Sequence, residues 1–278
     1  MQNRSKGINY MLASMVLFSL MHASVRYVKD IPLAQVIFFR VSISFIIAFG
    51  ILFKQNVNFR GKNQKLLIVR GSLGALSLFG FFYTLQQIPL ATAVTLSHVA
   101  PFFIALLGAI ILHERINKLT WLLFPLSLVG VAMIKGFDHR ITLFDTIIAI
   151  SAALFSALAH FSVRLNKNDH PLLVVFYLPL MTIPIALPIM IYQWVEPEWH
   201  EWLVLIIMGL LSHYAQYFLT KAYQAEEAGI LAPIYYVGVI FALALGYFLF
   251  GETFNLQTFA GMGLIVLSTL VHIIVSRK

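Results

Sequence analysis

The chain has no cysteine, which excludes disulfides, thiolate metal sites and thiol chemistry. Charge is scarce as well: Asp, Glu, Lys and Arg make up 11% of the 278 residues, where a soluble globular protein carries about 25%. Long polar segments are missing, and the longest stretch between apolar runs, Lys54 to Lys65, is too short to hold a domain. These absences exclude a soluble enzyme, a disordered chain and a membrane anchor bearing a large soluble domain. The formal net charge is +8, but the basic residues are dispersed over loops, so no nucleic-acid partner is expected.

What is present is apolar length. Apolar residues make up 60% of the chain and the mean hydropathy is +0.87. A spanning helix takes roughly 20 apolar residues plus a short loop. Ten such runs follow one another, at about 7–28, 32–53, 66–87, 90–112, 118–135, 143–164, 171–194, 201–224, 228–250 and 255–275. They are continuous and about twice as long as barrel strands, so the expected fold is all-α: a polytopic membrane protein with ten transmembrane helices in a lipid bilayer. The first run lacks a small-residue cleavage site and reads as a retained span.

Lys and Arg set the orientation. One side collects Arg4, Lys6, Lys54, Arg60, Lys62, Lys65, Arg70, Arg115, Lys118, Arg164, Lys167, Lys221, Arg277 and Lys278; the other holds Arg26, Lys29, Lys135 and Arg140. Both termini are therefore expected in the cytoplasm and the protein in the plasma membrane, the inner membrane of a bacterium. Trp194, Trp199 and Trp202 fall at the opposite interface, as amphipathic rings do.

The sequence repeats at the interval separating His22 from His160, an offset of 138 residues. Leu20, His22, Ser24, Val25 and Arg26 recur as Leu158, His160, Ser162, Val163 and Arg164, and Gln86 recurs as Gln224. Val99, Phe103, Leu107, Gly108, Glu114, Asn117 and Thr120 recur as Val237, Phe241, Leu245, Gly246, Glu252, Asn255 and Thr258. Apolar matches arise by chance in such a composition; shared His, Arg, Gln, Glu and Asn positions do not. The halves run over residues 1–137 and 138–278. Five spans is an odd number, so the second half enters the membrane upside down, giving two inverted five-helix repeats. Many secondary transporters are built this way, with a substrate site near the midplane between the halves.

With these residues in view, the chain resembles the EamA branch of the drug/metabolite transporter superfamily along nearly its whole length. The resemblance rests on Phe39-Arg40, on Arg70-Gly71, and on a repeated stretch that runs from Ala93 through Pro101 to Glu114 and from Leu231 through Pro233 to Glu252. It implies ten helices in two inverted halves, a central cavity, alternating access and a small organic solute. Val239 stands where the first half has Pro101, so the halves need not bend alike.

All eleven carboxylates fall at or near span ends, which disfavours proton coupling on a buried acid. Any proton coupling falls to His22, His98, His160 or His213, since imidazole titrates near neutrality. His98 is the leading substrate candidate: Pro101 frees the Ser97 carbonyl beside it, and its repeat mate Tyr236 adjoins Tyr235. His213 opens a polar stripe with Gln216, Tyr217, Thr220 and Gln224. Met15, Ser19, His22 and Arg26 form a second stripe, and Ser156, His160 and Arg164 a third, with Arg26 and Arg164 expected to snorkel to the interface. Arg40 lies too deep for that; it meets backbone carbonyls and structural partners, or attracts an anionic substrate group. Tyr83 and Gln87 complete the candidate lining. Glu114 and Glu252 end their helices and read as structural or gate-closing. Pro179, Pro184 and Pro188 make the seventh span a bent helix, either mobile or passively curved.

The expected function is secondary transport of a small polar metabolite, an amino acid or a derivative such as S-adenosylmethionine, by alternating access. A passive channel is one alternative. An intramembrane enzyme is another, but no HExxH, GxSxG or paired mid-membrane Asp is present. No cofactor or metal site is expected, and the oligomeric state, monomer or homodimer, stays open.

Overall fold

The computed structural model describes residues 2–112, 118–165, 169–225 and 237–275, and among them every regular element is a helix. In chain order these are α1 (Gln2–Tyr27), α2 (Leu33–Lys54), α3 (Gln64–Gln87), α4 (Leu90–Ser97), α5 (Ala100–Leu112), α6 (Lys118–Phe137), α7 (Leu143–Leu165), α8 (Pro171–Tyr192), α9 (Trp199–Ala225), α10 (Val237–Phe250) and α11 (Leu256–Val275). Seven spans are long and apolar enough to cross a membrane, the one at Leu90–Gly108 running across α4 and α5, and three shorter apolar helices lie in α6, α10 and α11. Ile46, Leu122, Phe248 and Leu249 point outward, where water would penalise them and lipid does not.

Local chemistry starts and stops these helices. Asn63 caps α3 by accepting the Leu66 N–H at 3.2 Å. At α7 a reciprocal capping box forms: Asp145 Oδ2 accepts the Thr142 N–H at 2.9 Å, and Thr142 Oγ1 accepts the Asp145 N–H at 3.1 Å. The fourth span breaks between α4 and α5. His98 and Val99 turn there through tight bonds, His98 N–H to Thr95 O and Val99 N–H to Leu96 O, and α5 restarts one residue before Pro101. By contrast α8 runs unbroken through Pro179, Pro184 and Pro188.

The packing has an approximate two-fold symmetry. α1 packs on α9 as α3 packs on α7, α2 packs on α8, and α6 packs on α11. Side chains repeat this at the 138-residue interval. Ser14 donates to Ala215 O at 2.8 Å, and Ser77 donates to Ala152 O at 2.9 Å; Ser14 matches Ala152, and Ser77 matches Ala215. A side chain at Gly71 would strike Met181, and one at Gly209 would strike Ile43, the residue that matches Met181. Such small-residue crossings bring helix backbones close in lipid, where tight packing substitutes for the hydrophobic drive.

Candidate functional site

A cavity of about 270 Å³ lies between the halves. The first half lines it with Phe18, Ser19 and His22 from α1, Arg40 from α2, Arg70, Ser77, Phe81, Phe82 and Thr84 from α3, and Ser97 and His98 at the α4–α5 break. Ser156 and His160 of α7, Leu178 of α8, Gln216 and Leu219 of α9 and Gly238 of α10 complete it from the second half.

The ring nitrogens are oriented by backbone. His98 Nδ1 lies 2.7 Å from Val94 O, and His160 Nδ1 lies 2.7 Å from Ser156 O. A carbonyl oxygen only accepts, so Nδ1 carries the proton in both rings. His22 stacks on Phe18 and meets Phe81 edge-on, with centroids 5.9 and 5.1 Å away. Thr269 of α11 bonds the His98 carbonyl at 3.2 Å, fixing the break against the second half.

Two guanidinium groups face this space. Arg40 is 5% exposed, its Nε donates to Ser212 Oγ at 2.8 Å, and its Cζ sits 4.9 Å from the Phe82 ring centre. Its Nη1 is enclosed without a hydrogen-bond partner, as is Nε of Arg70. Arg70 folds along α3 toward Gly74, where a Cβ would lie 2.4 Å from its Nη1. Among the described residues neither arginine has a carboxylate partner and no Asp or Glu lines the cavity. An arginine at membrane depth costs about 2.5–3.5 kcal/mol on insertion scales. One interhelical hydrogen bond returns about 0.6 kcal/mol and a cation–π contact about 0.5–2 kcal/mol. Arg40 is thus partly compensated, and Arg70 less so.

A cluster of polar contacts ties the helix ends together where α1 passes into α2. Glu252, in the loop between α10 and α11, accepts the Leu90 N–H at the start of α4 at 2.8 Å, and Arg26 Nε approaches it to 3.9 Å. Gly251, at φ +62°, turns the chain out of α10, and Gly246 leaves room for the carboxylate, since a Cβ there would meet Glu252 Oε2 at 2.5 Å. Burial pushes the Glu252 carboxyl above the usual range, opposed by the Leu90 N–H and the Arg26 charge. Arg26 also donates to Gln86 O, and Gln86 bonds the Ile31 carbonyl at 3.1 Å. Arg26 is therefore tied into these contacts rather than snorkelling.

Several residues expected in one site are brought together: His22, Arg40, Ser97, His98, His160 and Gln216 all reach the cavity. Others do not join them. Tyr83 turns away to donate to Asp145 Oδ1 at 3.0 Å, drawn by the carboxylate that caps α7. Gln87 is exposed at the end of α3. His213 faces α2, its Nδ1 3.3 Å from Ser44 Oγ. Glu114, Tyr235 and Tyr236 lie outside the described residues, as do the side chains of Pro101 and Arg164. Arg70, grouped by sequence with the loop cations, is instead a cavity residue.

The EamA-like transporter family matches residues 5–136 and again residues 143–274. The chain belongs to the EamA-like transporter family. It is a multi-pass membrane transporter with one family repeat in each half. It is 33% identical over 255 residues to the pseudopaline exporter CntI of Pseudomonas aeruginosa, covering 90% of each chain. It is 25% identical over 275 residues to the S-adenosylmethionine uptake transporter of Rickettsia prowazekii, covering 98% of this chain and 94% of that one. A solved crystal structure superimposes with a TM-score of 0.68 over 98% of both chains at 17% identity, which establishes a shared fold alone.

Proposed function

We propose that the protein carries an amino-acid-derived metabolite by alternating access, with the cavity between the halves as the substrate site and both termini in the cytoplasm of a bacterium. The observation that carries this reading is the cavity itself, lined by both repeats and holding Arg, His, Ser and Gln side chains at membrane depth. Polar groups that expensive are functional by default. Substrate binds Arg40, His98, Ser97 and Gln216; release follows when the two halves exchange conformations, opening one end as the other closes. The Glu252–Leu90 contact ties helix ends together in this state. No covalent bond is made or broken at the site. One relative is named for export and another for uptake, so the direction of flux follows the gradients rather than the fold.

Any proton coupling falls to His22, His98 or His160, and flux unchanged by an imposed pH gradient would remove it. The decisive experiment is counterflow in proteoliposomes holding the full chain, with radiolabelled amino acids and S-adenosylmethionine outside. Saturable uptake, accelerated by unlabelled solute trapped inside, is expected for at least one of them. Linear flux with no acceleration would replace the carrier with a channel.

A further inference from the structure

Arg40 and Arg70 reach the same cavity from different depths. The helix α3 serves as a ruler, because Arg70 Nη1 lies beside Gly74 and Arg40 Cζ lies over Phe82. Those two positions are eight residues apart, about 12 Å along the helix axis. One carboxylate cannot bridge that distance. Each guanidinium has an enclosed nitrogen with no hydrogen-bond partner, and no carboxylate among the described residues lines the cavity to neutralise either. The fold does not require these charges. At the matching positions of the second half stand Leu178 and Met208, which sit in repeat-related packing with no charge at all.

We propose that the cavity binds an elongated solute with an acidic group near each end, one held by Arg40 and the other by Arg70, and that Gly74 sets this specificity by leaving room for the Arg70 head. This rests on the cavity being the transport site. A single amino acid spans about 3.5 Å of extended backbone and an acidic side chain lengthens it further, so acids separated on this scale belong to a conjugate of about two such units. Cationic solutes are disfavoured by both arginines. Gly74 acts by position: a methyl group there would collide with Arg70 Nη1 and with Leu178 Cδ1, both ends of flexible side chains, so Gly74→Ala displaces the guanidinium while keeping its charge and the helix.

The test uses the purified full chain and isothermal titration with L-glutamate, glutamylglutamate and S-adenosylmethionine. Affinity is expected to rise at least about tenfold from glutamate to glutamylglutamate, the gain from one added charge-assisted contact. Arg40→Gln and Arg70→Gln should each flatten the series, Arg70→Lys should restore part of it, and Gly74→Ala should flatten it with the chain folded. A merely structural role for the arginines would weaken all solutes alike and leave the dependence on length intact. Glutamylglutamate that binds no tighter than glutamate, or S-adenosylmethionine that binds tighter than either, would overturn the proposal. Counterflow of some other solute would then leave the carrier reading standing. Only the absence of counterflow with every solute would end both.

Discussion

Two helix crossings in this molecule are copies of each other. α2 meets α9 through Arg40 and Ser212 and through Ile43 and Gly209; α8 meets α3 through Leu178 and Gly74 and through Met181 and Gly71. Each residue of the first set matches its counterpart at the same sequence interval. Backbone approach is shared, but side-chain chemistry is not. Where the first crossing has a cation on a serine hydroxyl, the second has a leucine over a glycine. The Ser212/Gly74 difference serves both cations: Ser212 gives Arg40 a hydrogen bond, and Gly74 gives Arg70 a place to lie. The two crossings share backbone geometry, and the residues that differ at matched points leave both cations on the first half.

The sharpest way to break the comparison is at its glycines. A Cβ on Gly71 would run into the Tyr177 carbonyl oxygen, whereas one on Gly209 would meet Ile43 Cδ1 at 2.5 Å and, less able to move, Ile43 Cβ at 2.8 Å. Backbone cannot step aside as a side chain can. Gly71→Ala is expected to cost about 3 kcal/mol and Gly209→Ala about 2 kcal/mol, read as thermal unfolding of the purified chain. Equal losses would show that the crossings are equally tight.

Next in size is a substitution that makes the crossings alike. Arg40→Leu copies the residue at the matching point of the second half. A buried ion replaced by a hydrophobe is often neutral or stabilising, so the unfolding temperature should hold or rise. Uptake should fall about tenfold, worth about 1.4 kcal/mol. Intact uptake with a collapsed unfolding temperature would make Arg40 a packing residue.

The same comparison explains how much the sequence could reveal. Spans, repeat and family were legible because membrane helices must be long and apolar and because matched His, Arg and Glu positions do not recur by chance. The break in the fourth span was legible through Pro101, since α4 ends beside His98. Side-chain direction was harder to read. Arg70 lies only about 9 Å along α3 from its start and counts as a loop cation until its fold toward Gly74 is seen. Tyr83 has the periodicity of a lining residue, but the Asp145 carboxylate that caps α7 captures its hydroxyl. His213 shares a polar stripe with Gln216, and a stripe does not reveal which helix will cover it; α2 covers His213 through Ser44.

A smaller effect sharpens the symmetry itself. Ser14 to Ala215 and Ser77 to Ala152 are matched hydrogen bonds with donor and acceptor helices exchanged. Ser14→Ala and Ser77→Ala are each expected to cost about 0.6 kcal/mol, the mean for such bonds in membranes, and to add in the double variant because they lie on separate crossings. Unequal losses would mean that one crossing bears more of the fold.

The smallest expected effect concerns two acids in neighbouring loops that respond to pH in opposite directions. Arg140 joins these loops by pairing with Asp138 at 2.7 Å and donating to Thr253 O at 2.9 Å. Burial pushes the Asp138 carboxyl up, but hydrogen bonds from the Arg140 side chain and backbone, with its charge, outweigh that and hold it below the ordinary 3.8. Its contribution is present above that value and is lost as pH falls through the lower folded value. Burial raises Glu252 above the ordinary 4.5, so its contribution is complete below that value and is lost as pH rises through the raised one. Asp138→Asn should therefore flatten the acid limb of unfolding temperature against pH, and Glu252→Gln the limb that falls as pH rises above the ordinary 4.5. The Asp138 effect should stay under about 1 kcal/mol, because its partner's side chain is 44% exposed. Curves that shift in parallel, with neither limb flattened, would mean that the two loops are held by packing and the backbone bond to Thr253 rather than by charge.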